Sequence, residues 1–306
     1  MFLLYTANLL QLVKSHHLTP HAYADDTQIY GHCQPSDAGG LAQRVTVCIG
    51  EISAWMKANR LQLNLSKTEV LWCASSRRQH LVPTASVRVG DVLVSPVTAV
   101  RDLGVYIDSD VTMRTHVTGI VRACFSALRQ IRSVRRSLPQ HALLTLVHAL
   151  VITKLDHCNS VLAGTAVYLQ NRLQSVLNAA ARLVFSRRAS EHTTPLLRDL
   201  HWLRVPERIQ FRLCVLAYHC VHGTAPAYLG DSLRPTSEFV ARRHLRSADT
   251  TTLLVPPTRR VTFGDRAFPV AAARAWNSLP AQIRAASSLL SYHRQTKAHL
   301  FQLSYN

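Results

Sequence analysis

The chain has 306 residues, of which 47% are apolar and 17% charged, with a formal net charge of +18. That apolar share can bury a core and excludes disorder throughout; the length suits one large domain or two smaller ones. No apolar run approaches the roughly 20 residues of a spanning helix, so no membrane partner is expected.

Residues 2–13 are apolar-rich, without a basic stretch before them or a small-residue cleavage site after them. They predict a helix, not a signal peptide. His21-Ala-Tyr-Ala-Asp-Asp-Thr-Gln-Ile-Tyr30 then reads as strand, tight turn, strand, with Asp25 and Asp26 at the tip. Carboxylates on such a tip can grip a hard divalent ion; the plainer alternative is ordinary turn chemistry. Between Gly40 and Arg60, Leu41, Val45, Cys48, Ile49, Ile52, Trp55 and Met56 recur at helical spacing. Leu61–Leu65 and Val70–Ala74 frame Lys67, and the second predicts a strand. Gly90-Asp91 centres a hairpin over Val87–Val94. Leu103–Ile107 predicts another strand, and the α+β part ends near residue 110.

Beyond it the chain reads as mostly helical. From Val111 to Arg136 an apolar stripe (Met113, Val117, Ile120, Val121, Cys124, Leu128, Ile131, Val134) opposes Arg122, Arg129, Arg132 and Arg136. That row either tracks phosphates or is a solvated face. Pro139 opens a second helix to about Asn159, and residues 168–185 form a third. Pro206 suits the first turn of a fourth and Gly223 its stop. Basic runs at Ser186–Ser190 and Arg242–Arg246 are surface loops or RNA contacts. Residues 235–262, with short strands at Leu253–Val255 and Val261–Phe263, read as a poorly ordered linker. Helices over Phe268–Trp276 and Ser287–Leu303 close the chain, with Trp276 as a core anchor.

Seven scattered cysteines (Cys33, Cys48, Cys73, Cys124, Cys158, Cys214, Cys220) suggest a reduced, intracellular protein, nuclear or cytoplasmic and not secreted. Cys214, Cys220 and His222 lack zinc-type spacing and sit in an apolar helical run, so no zinc is expected. Residues 1–110 carry equal numbers of acids and bases; residues 111–306 carry 26 basic and eight acidic residues. Of the basic residues 30 are Arg and five Lys. Arg contacts phosphate bidentately and stacks on bases, although GC-rich coding gives the same bias.

Three segments stand in order: Tyr23-Ala-Asp-Asp26, then Leu61-Gln-Leu-Asn-Leu-Ser-Lys-Thr-Glu69, then Leu103-Gly-Val105. Together they resemble the reverse transcriptases of non-LTR (LINE-type) retrotransposons. Phe263-Gly-Asp-Arg-Ala-Phe268 and Trp276-Asn-Ser-Leu-Pro280 resemble the tail of one branch, although Ala273 stands for a proline and Tyr292-His293 for a Phe-Lys pair. The resemblance spans nearly the whole chain and implies RNA-directed DNA polymerisation by two Mg²⁺ or Mn²⁺ ions on an RNA template and DNA primer. It implies Asp25 as metal ligand with Asp26 in support, and Lys67 as general acid toward pyrophosphate. It makes Leu103, Gly104 and Val105 a primer grip, and Arg122, Arg129, Arg132 and Arg136 nucleic-acid contacts on a thumb helix. The implied fold class is α+β: an incomplete polymerase palm over 1–110, a helical thumb and connection-like region over 111–234, the linker 235–262 and a helical tail over 263–306.

The family also uses an earlier palm Asp that bridges both metals, a Pro-Gln-Gly segment and a fingers subdomain. Only 24 residues precede Asp25, and they contain no Asp, Glu or Gly. The expectation is an N-terminally truncated enzyme, inactive alone, with an exposed palm edge open to self-association. The alternatives are a non-catalytic RNA- or DNA-binding protein and a metal-dependent nuclease built on Asp25 and Asp26 with Asp102, Asp108 or Asp110.

Overall fold

A computed structural model of the chain describes residues 6–238, 251–259 and 263–305. Contacts divide the α+β chain into two compact units, Met1–Thr115 and His116–Asn306.

In the first unit, helix α1 (Ala7–Ser15) buries Leu9 and Val13, and α2 (Ala38–Ala58) buries Leu41, Cys48 and Ile52. The last three lie seven and four residues apart, which places them on one helix face. With Leu18 they form the unit's core, against which Ile29, Trp55 and Trp72 pack. Each fully buried aliphatic side chain contributes about 1.5–3 kcal/mol. Three antiparallel hairpins complete the unit, each pairing only with itself among the described residues. They are β1 (Thr19–Tyr23) with β2 (Asp26–Tyr30), β3 (Val87–Val89) with β4 (Val92–Val94), and β5 (Ala99–Asp102) with β6 (Val105–Asp108).

Two strand expectations change. Val70–Ala74 is reduced to a single bridge between Val70 and Pro96. Pro96 has no N–H, so the ladder stops there. Leu103 and Gly104 are turn residues with φ of +44° and +86°, and the strand starts at Val105. Two successive positive φ angles match the twist of a tight hairpin.

The second unit is helical. Its elements are α3 (Arg114–Val134), α4 (Gln140–Val147), a π-helical turn His148–Ile152, α5 (Thr153–Asp156), α6 (Val167–Val184), α7 (Thr194–Asp199) and α8 (Val205–Val221). Then come α9 (Ala227–Gly230), α10 (Phe268–Asn277), α11 (Ala281–Arg284) and α12 (Leu289–Tyr305). Pro206 lies in the first turn of α8, and Gly223 follows its end with φ of +66°. Helices α6, α10 and α12 all pack on α8.

Trp276 and Tyr292 are fully buried, with ring centroids 5.7 Å apart. Tyr292 Oη donates to the Cys214 carbonyl at 3.0 Å, and Trp276 Nε1 donates to the Thr251 carbonyl at 2.6 Å. The Asn277 amide clasps Leu253 from both sides, accepting from its N–H and donating to its carbonyl. The described part of the expected linker is therefore anchored, with Leu253 buried and bridged to Pro235. The expected strand at Leu253–Val255 is that bridge alone. The expected strand at 261–263 and the basic run at 242–246 lie largely or wholly outside the described residues.

Candidate functional site

The β1–β2 hairpin turns at Ala24 and Asp25, with Ala24 at φ +53°. Asp26 is already in β2, opposite Tyr23. The tip is thus Ala24-Asp25, one residue earlier than a centred Asp-Asp pair. Both carboxylates are exposed.

Alternation along β2 puts Gln28 on the same face as Asp26. Gln28 Nε2 donates to Asp102 Oδ1 at 2.6 Å. Asp102 closes β5 immediately before the Leu103-Gly104 turn. The Asp-Asp hairpin and the Leu-Gly-Val hairpin are therefore joined by one side-chain bond across 74 residues. Neither Gln28 nor Asp102 stood out in the sequence as a pair; the one available signal was Gln28's alternation with Asp26.

Lys67 ends a 3-10 turn (Leu65–Lys67) and is exposed. Asn64 shapes that turn: its side chain accepts from Ser66 Oγ, and its carbonyl accepts from Thr68 Oγ1 and from the Lys67 N–H. No hydrogen bond or ion pair joins Lys67 to Asp25 or Asp26. Val105 is buried and Leu103 is exposed.

The remaining acids near these hairpins serve the backbone. Buried Asp108 accepts from the Thr115 N–H at 3.3 Å, and Asp110 accepts from the Thr112 N–H at 3.1 Å and hydroxyl at 2.7 Å. Asp108 thereby satisfies a donor in the first turn of α3, where helix N–H groups lack intrahelical partners, and Asp110 closes the turn just before it. Among the described residues, no three His, Cys, Asp or Glu side chains group to hold a metal ion. Cys214 donates to the Ala275 carbonyl, and burial pushes its thiol up to about 12. His222 stacks on Tyr218 at 3.8 Å, with Nδ1 against the Tyr218 carbonyl.

In the second unit, Arg122, Arg129 and Arg132 are exposed on α3, opposite buried Val117, Cys124, Leu128 and Ile131. Arg136 is exposed in the turn Arg135–Ser137. Spacings of seven and three hold the first three on one face. Among the described residues none of the four is paired with a carboxylate, so their charge is available to an anion.

No protein-family model matches the chain, and no curated protein or solved structure matches it either. No helix among the described residues is long and apolar enough to cross a membrane.

Proposed function

We propose that the chain is a protein of non-LTR retrotransposon reverse transcriptase descent that binds RNA or DNA and does not polymerise by itself. The observation that supports this is the Gln28–Asp102 bond. It sets the carboxylate hairpin beside the hairpin of Leu103, Gly104 and Val105, as a polymerase palm would. The carboxylates of Asp25 and Asp26 are hard oxygen donors on an exposed tip. They fit a hydrated Mg²⁺ or Mn²⁺ completed by substrate phosphates. When bound, such an ion supplies charge neutralisation at the triphosphate. Asp25 and Asp26 would hold it, and the exposed Lys67 ammonium would hold and deliver a proton at the leaving phosphate.

Two-metal transfer needs a further bridging carboxylate. Asp102, Asp108 and Asp110 are each committed to hydrogen bonds elsewhere. On this reading the polypeptide binds without turnover, and the same hydrogen bonds disfavour the nuclease alternative. Seven unpaired cysteines favour a reducing, intracellular setting.

Primer extension on an RNA template with Mg²⁺ or Mn²⁺, wild type beside Asp25→Ala, tests the catalytic half. The expected result is no extension by either. Extension that disappears in Asp25→Ala would establish a working polymerase and refute the inactive assignment. Binding of RNA that weakens linearly in log salt tests the other half.

A further inference from the structure

We infer that the second unit carries a stacking platform for single-stranded nucleic acid, made by His201 and Arg204 of the α7–α8 turn seated on two rings of the last helix. The inference rests on the nucleic-acid-binding reading and gives it a second contact surface, separate from the arginines of α3. His201 lies in the turn between α7 and α8 and is exposed. Its ring is stacked on Phe301 of α12, with centroids 5.7 Å apart and planes 19° apart. Three residues on, the Arg204 guanidinium lies over the Tyr305 ring, 5.2 Å from its centroid. Phe301 and Tyr305 are one helical turn apart and touch, with centroids at 4.9 Å. The helix thus offers two ring seats in a row, and the turn fills one with an imidazole and the other with a planar cation.

The turn is fixed from beneath. Trp202 is buried, and the Tyr305 hydroxyl donates to its carbonyl. Arg204 reaches Thr194 Oγ1 at 3.4 Å with one nitrogen, and no carboxylate pairs with it. His201 has φ of +52°, a left-handed state that is uncommon among L residues and that His and Asn adopt more readily than most. Each group therefore has one face seated on an aromatic ring. The imidazole leaves its outer face open to a base, and the guanidinium leaves N–H groups open to the neighbouring phosphate. Base stacking on aromatic rings tolerates any sequence, and Arg adds cation–π and phosphate contacts. Prior seating removes much of the ordering cost of such a contact. The strongly basic composition of residues 111–306 supplies the charge complementarity. A duplex hides its base faces, so the occupant is single-stranded.

The test uses the full chain, a dye-labelled oligouridylate of about 12 nucleotides, within the site sizes of single-strand binders, and a duplex control. His201→Asn tolerates the positive φ while removing the ring face; Arg204→Gln removes the cation. His201→Asn is expected to weaken oligouridylate about ten-fold, with an unchanged salt slope and unchanged duplex binding. Arg204→Gln is expected to reduce the salt slope by about one. Unchanged oligouridylate binding in both variants, or an equal loss for duplex and single strand, overturns the platform while the binding reading stands. Wild-type protein that binds neither nucleic acid overturns both.

Discussion

Gln28 donates to Asp102 at 2.6 Å, a bond between residues 74 apart that ties the β1–β2 hairpin to the β5–β6 hairpin. The acceptor is a carboxylate, which strengthens the bond, and the partly open setting weakens it. Gln28→Ala is expected to cost about 1 kcal/mol. Amide exchange should speed up in both 19–30 and 99–108. Faster exchange in only one hairpin would mean that the two hairpins do not support each other.

Asp108 holds the start of α3 through the Thr115 N–H. Asp108→Ala leaves that donor unsatisfied, and the loss expected from a missing helix cap is about 1 kcal/mol. Chemical denaturation of wild type and variant gives the difference; a midpoint unchanged at constant m-value would refute it.

Trp276 is the largest fully buried side chain and the donor that holds Thr251. Trp276→Ala is expected to cost about 3–5 kcal/mol. Trp276→Phe keeps the Tyr292 stack and loses the indole N–H, so its penalty should be clearly smaller. Thermal melts of the two variants rank them, and equal penalties would contradict a packing role.

Acid should loosen the tail. His293 on α12 meets Phe211 of α8 edge-on, 5.6 Å between centroids, and its Nε2 is buried without a hydrogen-bond partner. Burial, then His219, then Arg212 hold its pKa below the ordinary 6.5. The unfolded chain therefore takes up the proton first as pH falls. Stability is fully present above 6.5 and declines as pH drops through the lowered folded value, where the loss becomes complete. His148, lowered chiefly by burial and then by Arg208, acts with the same sign. His293→Leu should flatten the fall in Tm between pH 7 and 5. An equally steep fall in the variant would remove His293 from the account.

The four exposed arginines should dominate the salt dependence of binding. Changing Arg122, Arg129, Arg132 and Arg136 to Ser is expected to make the log K against log salt slope shallower by about 3.6 for duplex DNA. The helix should survive, because the opposite face carries the packing. A slope within error of wild type would make the row an ordinary solvated face.

Local signals that punctuate the backbone were legible before the fold was known. Gly90-Asp91 forms the expected hairpin turn with Gly90 at φ +59°, and Pro206 and Gly223 bracket α8 as predicted. The apolar stripes of α2 and α3 face their cores because a 3.6-residue period leaves one orientation that buries them, except that Val134, at the end of the α3 stripe, is exposed. Features set by distant partners were not legible. Leu103 adopts a positive φ that its propensity opposes, because the hairpin around it fixes the turn. Val70–Ala74 has strand composition, but the neighbour it meets is Pro96. The π-turn at His148–Ile152 leaves no trace in composition. Among the site residues, the hairpin placement of Asp25 and Asp26 could be read from ten residues, whereas the Gln28–Asp102 link arises only on folding.

Asn277 grips Leu253 by both of its backbone groups, as a neighbouring strand would, and does so with a single side chain. Helices α10 and α12 rest independently on α8. Chain continuity between residues 238 and 251 is therefore not what keeps the C-terminal segment in place. Residues 1–238 and 251–306, produced as two polypeptides, should migrate as one particle under native conditions and as two fragments in denaturant. The two halves, produced separately and mixed, should reassemble by complementation.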